Sequence, residues 1–269
     1  MPSDSIIPSG RRLKPIDPTK ALHEILDSVR QLGYMEQHAR SLIDQFDDKI
    51  ELTYHNAPAS RKTYKLCRSE RRDPRVPERL LEKQIWLQWN HASTVERGRS
   101  FYGEECEFIQ TYQMPLQQKL SDNGWGRIDL VGVSSRWMPV VIELKQAKGN
   151  DTLLRMFCEG LAYACALRRA WDGGSFKAEW KAAMDRYGIT LVDGETIHEI
   201  PVILLAPAEF WDRKVGKPGV RSREKVPDGA WQPFLELIKL SKSKGYPIHF
   251  VSLDIIIGSG LAVKIPGVT

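Results

Sequence analysis

The chain has 269 residues, enough for one large domain or two small ones, and 42% hydrophobic with 27% charged residues places it among folded globular proteins. Its 39 basic residues against 34 acidic ones give a net charge of +5, a mild bias toward polyanionic partners that identifies none by itself. The first 18 residues lack the apolar core of a secretory signal, and the most apolar runs, at 200–211 and 253–263, are shorter than the roughly 20 residues of a membrane span. Four cysteines (Cys67, Cys106, Cys158, Cys165) and six scattered histidines form neither a metal-ligand spacing nor a disulfide framework. That pattern points to a reduced, cytoplasmic setting and away from zinc.

Residues 1–18 hold four prolines and read as a flexible arm. Asp17-Pro18-Thr19 then predicts a helix start, followed by Leu22, Ile25, Leu26, Val29 and Leu32 at helical spacing and a stop at Gly33. A second amphipathic helix is predicted from Tyr34 to about Asp47, making a helical hairpin within an N-terminal module over 1–60. Residues 61–79 carry eight basic and three acidic residues, with Asp73-Pro74 and Val76-Pro77 breaking any helix. The linker at 61–76 fits a strap lying on phosphates and a solvated connection equally well.

From Pro77 onward, over 77–269, the order of elements becomes informative. A helix from Pro77 carries Leu81, Ile85 and Trp89 on one stripe. Strands are expected at 105–116, 126–133 and 139–145, then a helix from Thr152 to about Arg169 burying Leu154, Phe157, Cys158, Leu161 and Cys165. A strand at 200–206, a helix at 230–243 and strands at 247–253 and 260–265 complete the chain. The core order is α-β-β-β-α-β, an α/β layer architecture with a mixed sheet flanked by helices.

Two of these strands each hold an acid among branched apolar residues: Asp129 in Ile-Asp-Leu-Val-Gly-Val and Glu143 in Val-Val-Ile-Glu-Leu. A carboxylate in such surroundings is costly unless it is paired or binds a cation. If the hairpin turn centres on Arg136, partners sum to 272, which sets Asp129 opposite Glu143 on one sheet face. Hard oxygen ligands converging there suit Mg²⁺ or Mn²⁺. Lys145, two residues beyond Glu143, shares that face. An ammonium there can position water and stabilise charge on a phosphate under in-line attack.

Glu82 on the first helix, Gly-Arg-Ile-Asp129 and Glu143-Leu-Lys145, in this element order, resemble the PD-(D/E)xK, or restriction endonuclease-like, nuclease superfamily. The resemblance covers about half the chain, from 77 to 206. It implies Asp129, Glu143 and Glu82 as Mg²⁺ or Mn²⁺ ligands and Lys145 as the residue acting on water; Glu78, one helical turn away, fits the role of Glu82 as well. It implies a metal-dependent nuclease with DNA as the nucleic-acid partner, in restriction, defence, repair or mobile-element processing. A homodimer or a larger complex would fit such a role. Ile128 stands where the superfamily's proline would be, and Glu159-x-x-x-Tyr163 is the nearest match to the Gln-x-x-x-Tyr that some members carry.

Other residues divide between substrate contact and structure. Arg127 fits a phosphate contact or neutralisation of the acid pair equally well, and Gln146 fits a substrate or water contact or simply the polar end of a strand; Trp125, between Gly124 and Gly126, fits an exposed base-stacking position; Tyr163 fits a substrate contact. Trp86 and Trp89 fit core packing, and the basic stretch 212–225 fits a loop on nucleic acid or a solvated one. Glu-x-Lys alone is a common tripeptide, and the apolar strand context and the matched aspartate give it weight. The rival reading is a nuclease-fold module that binds nucleic acid, or serves a complex, without cutting on its own.

Overall fold

Five strands form one mixed sheet whose spatial order follows the sequence: β1 (Phe108–Pro115), β2 (Arg127–Val133), β3 (Pro139–Leu144), β4 (Val202–Ala206) and β5 (Ile248–Ser252). β1, β2 and β3 are antiparallel neighbours, whereas β3, β4 and β5 are parallel and therefore need helical crossovers. This is a computed structural model, and it describes residues 16–30, 35–66, 77–117, 125–148, 150–191, 196–215 and 228–253. The arm up to residue 15, most of the basic linker, the greater part of the basic loop and the strand expected at 260–265 lie outside the described residues.

The central strands read as almost unbroken apolar runs because both sheet faces are covered. On one face Val131, Val133, Val141, Val202 and Leu204 meet the apolar stripe of α5 (Leu153–Asp172). On the other, Leu130, Ile142, Leu144, Ile203 and Leu205 cluster with Ile85 and Trp89 of α3 (Pro77–Trp89). Three further helices follow from local signals. Asn90 caps α4 (His91–Arg97) by accepting the Ser93 N–H at 3.2 Å, and Gly98 closes that helix in the left-handed conformation at φ 63°. α6 (Ser175–Asp185) occupies the tryptophan-bearing insertion and α7 (Ala208–Lys214) follows β4 directly.

The helix expected from Asp17 to Gly33 is instead two 3₁₀ turns, Leu22–Glu24 and Ser28–Arg30, in the described part. Side chains, two of them from distant positions, take the backbone groups an α-helix would need. Thr53 Oγ1 accepts the Leu22 N–H at 3.0 Å, Glu24 accepts the Ala21 N–H at 2.8 Å, and the Lys49 ammonium binds the carbonyls of Asp17 and Lys20. The second expected helix, to about Asp47, breaks at Gln45: α1 (Met35–Asp44) ends there, and α2 (Phe46–Asn56) runs on past the expected end. α1 packs on α8 (Asp228–Ser243) and α2 on α5, so Leu22, Val29, Met35 and Leu42 share one apolar cluster with Phe157 and Phe234. The described chain is thus a mixed α/β structure of one five-stranded sheet and eight α-helices. None of those helices is long and apolar enough to cross a membrane.

Candidate active site

The site forms where three strands come level. Paired residues of β2 and β3 sum to 272, from Val133 with Pro139 to Leu130 with Ile142, the register expected from the hairpin. On its other edge β2 pairs with β1 in a register summing to 242, from Thr111 with Val131 to Pro115 with Arg127. Continuing both registers sets Gln113, Asp129 and Glu143 on one transverse row. The regular ladder gives way there. Gln113 adopts a left-handed φ of 50°, and the Leu144 N–H donates to Asp129 Oδ2 at 3.0 Å.

Alternation along the strands turns Asp129 with Val131 and Glu143 with Val141 toward α5. Lys145 follows on the same side. Its ammonium donates to Glu143 Oε1 at 2.5 Å and to Glu159 Oε2 at 2.9 Å, and lies 3.6 Å from Asp151 Oδ2. α5 reaches this close because residue 160 is glycine: a Cβ there would stand 2.8 Å from Val202 Cγ1 and 3.6 Å from Glu143 Cβ. The helix begins beside the site because Thr152 caps it, accepting the Arg155 N–H at 3.1 Å and donating to the Val29 carbonyl at 2.7 Å. Arg155 extends the charge network outward through Asp151 at 3.0 Å and Asp27 at 3.1 Å.

Burial dominates the electrostatics. It pushes the Asp129 carboxyl up to about 7, against the opposing pull of Lys145 and the Leu144 N–H. Burial and the neighbouring Asp129 and Glu159 charges hold Glu143 well above the carboxylate range. Burial also works against the Lys145 ammonium, but Glu143, Glu159 and Asp129 outweigh it and keep that group protonated well above the usual lysine range. Glu82, on α3, has no solvent exposure, and burial followed by the Asp129 charge raises its carboxyl to about 9. The Gln113 amide and, more weakly, the Arg79 charge favour its charged form, and Glu78, half-buried one turn earlier, adds a further negative charge toward Glu82 and Asp129.

The expected residues do not all gather. Asp129, Glu143, Lys145 and Glu82 come together, and Glu78 faces the same acids. Arg127 is exposed at the start of β2, and Gln146 is half-buried just past β3. Trp125 is not the exposed platform its glycine neighbours suggested: it is 4% exposed, with His23 lying over its ring at 3.9 Å. Tyr163 is buried rather than presented to substrate, its hydroxyl donating to Glu159 Oε1 at 3.4 Å. Glu159 and Asp151 are the residues sequence reasoning undervalued. The Arg155-Glu159-Tyr163 spacing, four residues apart on one helix face, was the signal.

Whether these residues suit a divalent cation turns on their unsatisfied oxygens. The Oε2 of Glu143 is buried without a hydrogen-bond partner and the buried oxygens of Glu82 have only the Gln113 amide toward them, and such atoms are expensive unless a cation or donor reaches them. The donors are hard oxygens, as Mg²⁺ or Mn²⁺ requires. Among the described residues no three acidic, imidazole or thiol groups are already closed into a metal-binding shell, and Lys145 supplies the positive charge beside Glu143. The donor set fits a hard cation by its chemistry. Comparisons with protein-family models, curated proteins and solved structures find no match to this chain.

Proposed function

We propose that the chain is a metal-dependent nuclease of the PD-(D/E)xK type, with the restriction endonuclease-like α-β-β-β-α-β core formed by α3, β1, β2, β3, α5 and β4. The observation that carries this reading is the convergence of Asp129, Glu143 and Lys145 at one point where β2 and β3 part, with Glu82 behind them. Acids held at raised pKa, Glu82 and Glu143 fully buried and Asp129 half-buried, cost stability beside a buried lysine, and such groups collect where chemistry needs them. Asp129, Glu143 and Glu82 would hold Mg²⁺ or Mn²⁺, which supplies a Lewis acid for the phosphodiester and lowers the pKa of the attacking water.

The chain's own residues do the rest. Lys145 stays protonated, so it serves as a fixed positive charge that orients water and stabilises the charge developing on the phosphoryl oxygens. Glu159 holds that ammonium from the far side, and Tyr163 fixes Glu159. The Leu144 N–H orients Asp129. DNA is the favoured substrate, cut in restriction, defence, repair or mobile-element processing, by a homodimer or within a larger complex.

A second reading is a nuclease-fold module that binds nucleic acid, or joins a complex, without cutting alone. The tight Lys145–Glu143 pair favours it, because that pair must loosen before Glu143 serves a cation. One experiment separates them: single-stranded DNA, duplex DNA and RNA are incubated with the protein in Mg²⁺, Mn²⁺ or EDTA, beside Lys145→Ala. Cleavage that needs the metal and disappears in the variant supports the enzyme. Wild-type cleavage by Lys145→Ala sinks the assigned site, and binding without cleavage favours the second reading.

A further inference from the structure

One residue of β1 stands out of register. Ile109 pairs with Gly132 and Thr111 with Val131, so Gln110 is the extra residue of a β-bulge. Bulges re-aim side chains, and they concentrate beside active sites. Gln110 lines a cavity of about 380 Å³ between α3, α4 and the turn after α6, walled by Trp86, His91, Arg186 and Tyr187. The Gln110 Nε2 donates to the Leu66 carbonyl at 2.7 Å, and its backbone carbonyl accepts the Trp86 indole N–H at 3.3 Å. These two bonds hold the bulge at the floor of the cavity, on a residue 3% exposed.

The walls of the cavity match a flat ligand. Tyr187 stacks on His91 with ring centroids 4.1 Å apart and planes 18° apart, and Phe108 meets both rings edge-on at 5.4 and 4.9 Å, which fixes their planes. Arg186 is exposed at the rim and brings a positive charge. An aliphatic ligand would leave the Arg186 charge unused, and a sugar would forgo the aromatic surface. A nucleobase offers a π-face to the aromatic walls, and its phosphate would lie toward the guanidinium.

The cavity is also in the right place. Trp86 is one helical turn along α3 from Glu82, and Gln110 is three residues, about 10 Å, along β1 from Gln113. α3 thus carries both Glu82 and Trp86, and β1 carries Gln110 and Gln113, the latter level with Asp129 of β2. Resting on the nuclease reading above, we propose that this cavity takes one unpaired nucleobase of the strand held at the acid cluster, a few nucleotides from the phosphate that is cut.

The test is an abasic scan. Single-stranded DNA and RNA oligonucleotides, each lacking one base at successive positions, are titrated with the protein in EDTA, and 2-aminopurine is placed at each position in turn. One position is expected to weaken binding roughly ten-fold when abasic and to show quenched 2-aminopurine fluorescence. Ala92→Trp, which fills the mouth from an exposed residue, is expected to abolish that positional dependence, and Arg186→Ala to weaken it; both sites are exposed, so the fold is kept and is checked by melting.

A flat scan, or a positional dependence unchanged in Ala92→Trp, overturns the proposal. Cleavage in Mg²⁺ is scored separately. Cleavage with a flat scan removes the base pocket and leaves the nuclease, positional dependence without cleavage leaves the pocket and removes the nuclease, and absence of all binding overturns the pocket. The DNA and RNA arms tell which strand supplies the base.

Discussion

At the scale of single residues, the acids around Asp129 are held in an unfavourable state that a cation would relieve. Glu82 illustrates the sign. Its carboxyl is raised from the ordinary 4.5 to about 9, so between those values the folded protein keeps a proton that the unfolded chain has lost. Its contribution is fully present below about pH 4.5 and is lost as pH rises through about 9. Glu82→Gln mimics the neutral acid. The metal-free variant is expected to match wild type in urea unfolding near pH 5 and to exceed it at pH 9, while losing metal-dependent cleavage. Equal pH slopes for the two proteins would show that Glu82 is ionised throughout.

The residues that were legible in the sequence follow from local pattern. Asp129 and Glu143 sit among apolar strand neighbours, alternation puts Lys145 on the side of Glu143, and the hairpin register adds Asp129 to that face. Glu159 and Asp151 needed knowledge of where α5 crosses β3, which no local pattern encodes. Trp125 misled for the same reason: its glycine neighbours speak of exposure, yet His23, about a hundred positions earlier, covers it.

At the scale of elements, α5 sets the geometry of the site, and Gly160 sets how close α5 lies. Alanine there favours helix by up to about 1 kcal/mol, but its methyl meets Val202 and Leu204 at 2.8 and 3.2 Å. Overpacking of this kind costs roughly 1–3 kcal/mol. Gly160→Ala is expected to lower the urea midpoint and to reduce cleavage, because Glu159 and Tyr163 retreat from Lys145 along with the helix. An unchanged midpoint would mean that α5 has slack at this point. The strands and α5 were readable from period and apolar runs. The 3₁₀ turns near residue 25 were not, because Thr53 and Lys49 decide them from another element.

At the scale of the whole molecule, the segment before the basic linker is part of the main core. Leu22, Val29, Met35 and Leu42 lie in the cluster built by α5 and α8, and Thr152, the cap of α5, is anchored on the Val29 carbonyl. A chain starting at residue 61 is therefore expected to lose cooperative thermal unfolding and to expose apolar surface to a hydrophobic dye. A sharp transition at the full-length temperature would make the N-terminal segment an appendage. The apolar pattern revealed that this segment is helical in character, and only tertiary packing shows what it covers.

The left-handed backbone of Gln113 has a consequence for how this protein would respond to selection. Non-glycine residues in that conformation carry a penalty of roughly 1–2 kcal/mol, partly offset against glycine by glycine's greater loss of chain entropy. A library at position 113 sorted for heat resistance should thus tolerate or enrich glycine. The same library sorted for cleavage should reject it, since glycine brings no amide to Glu82. Opposite outcomes in the two sorts would mark position 113 as a place where folding and activity ask for different residues; identical outcomes would show the strain to be without purpose.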